Sequence, residues 1–191
     1  MGADQGDAIA EQRRRLRAAR RALSRDKAAA AADGVANRLA PWVEARWSAA
    51  RVGSYFASDG ELDPAPLTAR LRSAGHSSWL PVCHGDVLRF RQWDGAAPLA
   101  EGRWGIREPI EGPLVDGRDL DVVLVPLVAF DAVGNRFGRG AGFYDRAFAG
   151  DRTAVLVGLA HDLQELPPWE PEAWDVPLDV VATPTRLITP P

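Results

Sequence analysis

Between Gly134 and Arg146 the chain sets glycines at 134, 138, 140 and 142 among Arg136, Arg139 and Arg146, with one carboxylate, Asp145. Glycine adopts backbone angles closed to other residues, so a run spaced this way can turn successive N–H groups toward one side. A helix starting directly afterwards adds positive potential at the same place. Arginine's planar fork matches two phosphate oxygens at once. An aspartate beside it can hold magnesium, a hard cation that prefers carboxylate and phosphate oxygen. These residue types suit the phosphates of a nucleotide. Two familiar motifs are excluded: no lysine followed by serine or threonine comes after the glycines, and Gly138-x-Gly140-x-Gly142 lacks the wider interval of a dinucleotide fingerprint. A flexible turn carrying solvated arginines is the other reading of the same residues.

The elements that must position this loop lie on both sides of it. Val122 to Val125 is wholly apolar, as a strand covered on both faces should be, and Pro126 predicts that pairing ends near it. A short helix is expected around Tyr144 to Phe148, a buried strand over Ala154 to Leu159 and a tail strand near Val180 and Val181. Upstream, Val52 to Ala57 reads as a strand, and Asp63-Pro64 as the N-cap and first residue of a helix carrying Leu67 and Leu71. Ser78 to Cys83 and Val87 to Trp93 read as a hairpin about His84-Gly85-Asp86. Ile9, Leu16 and Leu23, with Ala19, form the apolar stripe of a first helix. Ser24 caps a second, whose face is Ala28, Ala32, Val35 and Leu39 and which Pro41 should stop. Strands alternating with helices predict an α/β fold, a three-layer α/β sandwich with a largely parallel central sheet and N-terminal helices. The Gly- and Pro-rich stretch 95–117 reads as a surface excursion near the site.

Composition narrows the class. A chain of 191 residues, 46% hydrophobic and 26% charged, can bury a core, and a single domain over 1–191 is expected. A net charge of -3 gives no general pull toward nucleic acid or an anionic membrane. The single cysteine, Cys83, cannot form an internal disulfide and suggests a reducing compartment. No apolar run has the length of a membrane span, so a cytoplasmic protein is expected. A monomer that takes small molecules is expected as well.

The run Asn135-Arg136-Phe137-Gly138-Arg139-Gly140-Ala141-Gly142-Phe143-Tyr144-Asp145-Arg146 resembles the signature of the 5-formyltetrahydrofolate cyclo-ligases, also called methenyltetrahydrofolate synthetases. Other segments resemble that family in the same order. They are Arg13 to Arg17, Glu61-Leu62-Asp63, Trp104 to Pro109, Ala129-Phe130-Asp131, Gly158-Leu159-Ala160 and Asp175. The resemblance implies a three-layer α/β sandwich. It also implies an ATP- and Mg2+-dependent conversion of 5-formyltetrahydrofolate to 5,10-methenyltetrahydrofolate, with ADP and phosphate released. Carried over by position, Arg13 and Arg17 would touch ATP phosphates. Arg136, Phe137, Gly138, Arg139, Gly140, Ala141, Gly142, Phe143 and Tyr144 would wrap the nucleotide, Arg139 and Tyr144 as catalytic residues. Asp145 and Asp175 would hold magnesium. Ser58, Glu61, Asp63 and Trp104 would hold the folate, Trp104 by stacking on the flat pterin. Arg13 stands where the family usually has lysine, and Phe143 where it has tyrosine.

Several of these residues also have plainer roles. The arginines from Arg13 to Arg21 suit a solvated helix face, and Asp63 before Pro64 is a good N-cap without any ligand. Trp104 suits the core equally well, and Asp175 an acidic turn. Beside the cyclo-ligase stand two alternatives, a paralogue using the same loop on another substrate and a binder that does not turn over. Retention of Arg139, Tyr144, Asp145 and Asp175 favours an enzyme.

Overall fold

The computed structural model describes residues 2–102 and 105–191. Trp104, expected against the folate, lies outside them. Two N-terminal helices come first, α1 (Gly2–Arg21) and α2 (Arg25–Glu44), followed by β1 (Arg51–Gly53) and α3 (Ala65–Ser73). The hairpin is β2 (Ser77–His84) and β3 (Val87–Gln92). A ribbon of β4 (Leu99–Glu101) and β5 (Arg107–Pro109) precedes β6 (Leu114–Asp116) and β7 (Val122–Pro126). A second ribbon, β8 (Ala129–Phe130) with β9 (Arg136–Phe137), leads to α4 (Phe143–Phe148). The chain then forms β10 (Val155–Leu159), β11 (Val180–Ala182) and β12 (Leu187–Ile188).

Eight strands form the main sheet in the order β12-β11-β10-β7-β1-β2-β3-β6. The central run from β11 to β2 pairs in parallel, and the antiparallel strands lie at the edges. Strand β7 explains why the sheet is covered twice. Val122 and Leu124 pack with Val35, Leu39, Val43, Leu67 and Leu71 of α2 and α3. Val123 and Val125 pack on the other face with Phe90, Phe130 and Phe148. Side chains alternate along a strand, so only an all-apolar segment can bury both faces. The α/β fold with a largely parallel central sheet and N-terminal helices is thus observed. No helix among the described residues is long and apolar enough to cross a membrane.

Four local expectations are corrected. Pro41 does not stop α2, which runs to Glu44 because fully buried Val43 anchors its last turn, outweighing the one backbone bond that proline removes. Ala19 is exposed and Leu23 lies beyond the end of α1, whereas Leu16 packs on Val128, Ala129 and Phe137. Helix α3 starts at Ala65 with Pro64 at the cap position, and Asp63 one residue earlier accepts the Ala65 N–H at 2.9 Å. Strand β1 is shorter than Val52 to Ala57, because the chain beyond Ser54 leaves the sheet to form a cleft wall.

Candidate active site

Parallel strands open their C-terminal ends on one side, and loops leaving those ends make a crevice there. Here the loop after β1 and the segment after β7 face each other across a cleft of about 1600 Å³. Pockets that take one drug-sized ligand measure roughly 300–1,000 Å³, and this cleft exceeds that range.

The segment after β7 is held from below by a buried carboxylate. Asp131, fully buried, accepts the backbone N–H groups of Val133, Asn135 and Trp169 and the Asn135 side-chain amide. This fixes the β8–β9 ribbon, so Arg136 and Phe137 lie on a paired strand and not in the glycine loop itself. The Phe137 ring stacks on Trp169 at 4.2 Å, and the Arg13 guanidinium lies 5.3 Å from its centroid. Helix α1 thereby brings Arg13 to the cleft.

Beyond β9 the loop opens. A Cβ built on Gly140, whose φ is 101°, meets nothing within 4 Å. Gly142, with φ 64°, caps α4 in the left-handed region, where a Cβ would stand 2.9 Å from Arg146 Nη1. Ala141 is exposed, and its carbonyl accepts from Arg146 at 2.9 Å. Gly138 and Phe143 line the cleft beside them. Arg136 Nη2 donates to Asp145 Oδ1 at 2.6 Å, and the Val176 N–H reaches the same oxygen at 3.2 Å. That second bond brings the 172–177 segment to α4, so Asp175 and Asp145 line one end of the cleft. Asp175 Oδ2 also accepts the Glu172 N–H at 3.1 Å. The Nε atoms of Arg13 and Arg136 are buried and lack a hydrogen-bond partner among the described residues.

The opposite wall is already saturated. Asp59 accepts from Arg17 at 2.6 Å, Arg20 at 3.0 Å and Arg21 at 2.9 Å. These partners hold its carboxyl at about 2, against the desolvation that would raise it. Glu61 accepts the Ser58 N–H at 3.0 Å and its hydroxyl at 3.3 Å. Arg139 spans the cleft, bonding Ser58 Oγ at 2.9 Å and lying 3.3 Å from Glu61. Tyr144 also lines the cleft, and burial, with the Glu61 charge second, pushes its hydroxyl well above the usual phenol value. The ribbon closes the far side, where Glu108 accepts the Cys83 N–H at 3.1 Å and Gly105 to Glu108 line the space.

Of the residues singled out in the sequence, Ser58, Glu61, Arg13, the 136–145 segment and Asp175 therefore meet in one cleft. Arg17 does not line it, since its guanidinium is taken by Asp59. Asp63 is exposed outside the lining and bonds the start of α3. Two residues at or behind the wall after β1 were not singled out by themselves in the sequence: Asp59, inside the Ser58 to Asp63 segment, and Arg20, inside the arginine run from Arg13 to Arg21.

Comparison with known proteins agrees with this geometry. The model of the 5-formyltetrahydrofolate cyclo-ligase family matches residues 6–184. The 5-formyltetrahydrofolate cyclo-ligase of Escherichia coli (strain K12) is 39% identical over 148 residues, covering 71% of this chain and 79% of that protein. That of Mycolicibacterium smegmatis is 33% identical over 165 residues, covering 82% and 85%. The NMR structure of Aquifex aeolicus 5,10-methenyltetrahydrofolate synthetase aligns with a TM-score of 0.83 at 31% identity, over 94% of this chain and 91% of that one. With the signature loop lining the cleft and the match running nearly end to end, the chain belongs to the 5-formyltetrahydrofolate cyclo-ligase family, a family of ligases.

Proposed function

We propose that the protein converts 5-formyltetrahydrofolate to 5,10-methenyltetrahydrofolate with ATP and magnesium, releasing ADP and phosphate. The observation that carries this reading is the pair of buried, unpartnered guanidinium donors, Arg13 Nε and Arg136 Nε, beside an open glycine backbone. A buried donor without an acceptor is costly, and a polyphosphate supplies the acceptors. Among the described residues no three histidine, cysteine or carboxylate side chains gather as a metal site. A magnesium ion here would rest on Asp145, Asp175 and the ligand's own oxygens, neutralising phosphate charge. Both protein bonds to Asp145 fall on Oδ1, which favours Oδ2 for that role.

In this reading the formyl oxygen accepts the γ-phosphoryl group, N10 closes the ring, and phosphate leaves. Phosphoryl transfer asks a protein for placement and charge neutralisation more than for a nucleophile. Arg13, Arg136 and the 138–143 backbone hold the phosphates, while Arg17 stays with Asp59 on the opposite wall. Arg139, reaching across to Ser58 and Glu61, is placed to stabilise charge where the two reactants meet. Tyr144, its hydroxyl raised, stays protonated at neutral pH and serves as a donor rather than a base. Ser58 and Glu61 take the folate's polar edge together with Trp104, while Asp63 holds the start of α3 behind them. One chain supplies both walls, so the proposed working unit is a monomer.

The test is optical. Protein, magnesium-ATP and 5-formyltetrahydrofolate are mixed and the near-UV absorbance of the methenyl product is followed. A rise requiring all three is expected. Folded protein that binds ATP without producing the rise would refute the proposed reaction.

A further inference from the structure

We propose that Arg20, which lines no part of the cleft, is a positioning residue for the wall that carries Ser58 and Glu61. The inference rests on the cyclo-ligase reading and adds a residue to it.

Its guanidinium is divided three ways. Nε donates to the Asp59 carbonyl at 2.8 Å, Nη1 to the Leu127 carbonyl at 2.9 Å and Nη2 to Asp59 Oδ2 at 3.0 Å. Glu61 Oε1 lies 3.7 Å from the same Nη2. One side chain thus ties α1, the loop after β1 and the chain leaving β7. The Leu127 carbonyl is also taken by Gln164 at 2.9 Å, which holds the acceptor in place.

A second observation is independent of the first. Asp59 has φ 55°, the one non-glycine residue at positive φ among the described residues. Aspartate enters this region more readily than most side chains but still at a cost, which its neighbours offset. Arg17 and Arg21 hold the carboxylate as well, and Arg20 adds a grip on the Asp59 carbonyl to its grip on the carboxylate. The turn so forced lies between Ser58 and Glu61, the two residues that meet Arg139 across the cleft. A fully buried side chain, with 0% of its surface exposed, does not touch a reactant and acts through these neighbours.

The experiment compares wild type, Arg20→Lys and Asp59→Asn. Lysine keeps the charge but cannot serve three acceptors as the fork does. Asparagine keeps the shape and tolerates positive φ while removing the anion that Arg20 shares with Arg17 and Arg21. For each protein, the two KM values and the thermal midpoint are measured, together with the Kd of 5-formyltetrahydrofolate alone by calorimetry. Displacement of a positioned group far from the chemistry can lower rates by about 10²-fold, so a folate KM and Kd raised at least about tenfold are expected. The KM for ATP should stay within about twofold, because Arg13 is anchored separately on Phe137. Both folate constants unchanged while the thermal midpoint falls would make Arg20 merely structural and overturn the proposal, as would a rise confined to ATP. If Arg20→Lys does not fold, Asp59→Asn alone decides. Wild type that neither binds nor converts 5-formyltetrahydrofolate would refute the cyclo-ligase reading itself, and the positioning role with it. Wild type that does both while the variants keep their folate constants would refute the positioning role alone.

Discussion

The wall after β1 and the wall after β7 treat charge in opposite ways. On the first, Asp59 meets Arg17, Arg20 and Arg21, and Glu61 meets Arg20 and Arg139, so each carboxylate already has cationic partners. On the second, Arg136 shares one carboxylate and keeps Nε unpartnered, Arg13 Nε is likewise unpartnered, and the backbone at Gly140 faces open space. The first wall is organised before any ligand arrives, as suits recognition of a neutral ring by groups held still. The second keeps donors that an entering anion would satisfy. Preorganisation and unmet demand are thus separated across a single cleft, and Arg139 joins them.

Removing that junction should have the largest effect. Arg139→Ala is expected to lower kcat by about 10²–10³-fold, as loss of one charge-stabilising donor does elsewhere. Its side chain is 41% exposed, so circular dichroism should show an intact fold. An unchanged kcat would detach it from the chemistry and leave the two walls unconnected.

The support under the second wall comes next. Asp131→Ala strands the N–H donors of Val133, Asn135 and Trp169. It should cost about 3 kcal/mol in urea unfolding. A loss below about 1 kcal/mol would mean that water satisfies those donors and that the ribbon does not depend on the carboxylate.

Asp145→Asn sharpens the contrast without removing either wall. It should weaken magnesium-nucleotide binding about tenfold, near 1.4 kcal/mol, while folate affinity holds. Equal losses in the two titrations would contradict a cation role confined to one end.

The smallest expected effect concerns pH. Asp59 titrates at about 2 in the folded protein against an ordinary 3.8. Its charge therefore stabilises the fold fully above the unfolded value, and that contribution disappears as pH falls from about 4 through 2. Acid unfolding followed by fluorescence should show a shallower loss over that window in Asp59→Asn. Superimposable curves would mean that the arginines around Asp59 are not stabilised by its charge.

By itself the sequence determined the parts whose signal is local. The valines of β7, the capping Ser24 and the hairpin about Gly85 each follow from periodicity or turn chemistry within a few residues. The glycine and arginine spacing at 134–146 likewise led to the expectation of a phosphate-type loop, because that pattern is written in consecutive residues. Tertiary structure decided what depends on partners distant in the chain. Pro41 stays inside α2 because buried Val43 holds the turn beyond it. Asp131 is a fully bonded anchor only because Trp169 folds back upon it. Arg20 could not be told from its neighbouring arginines by pattern, since what sets it apart is the carbonyl of Leu127, 107 residues away. Local propensities are read within a few residues, whereas burial and charge pairing are properties of which segments meet, and only the folded chain brings Arg20, Asp59, Glu61 and Arg139 together.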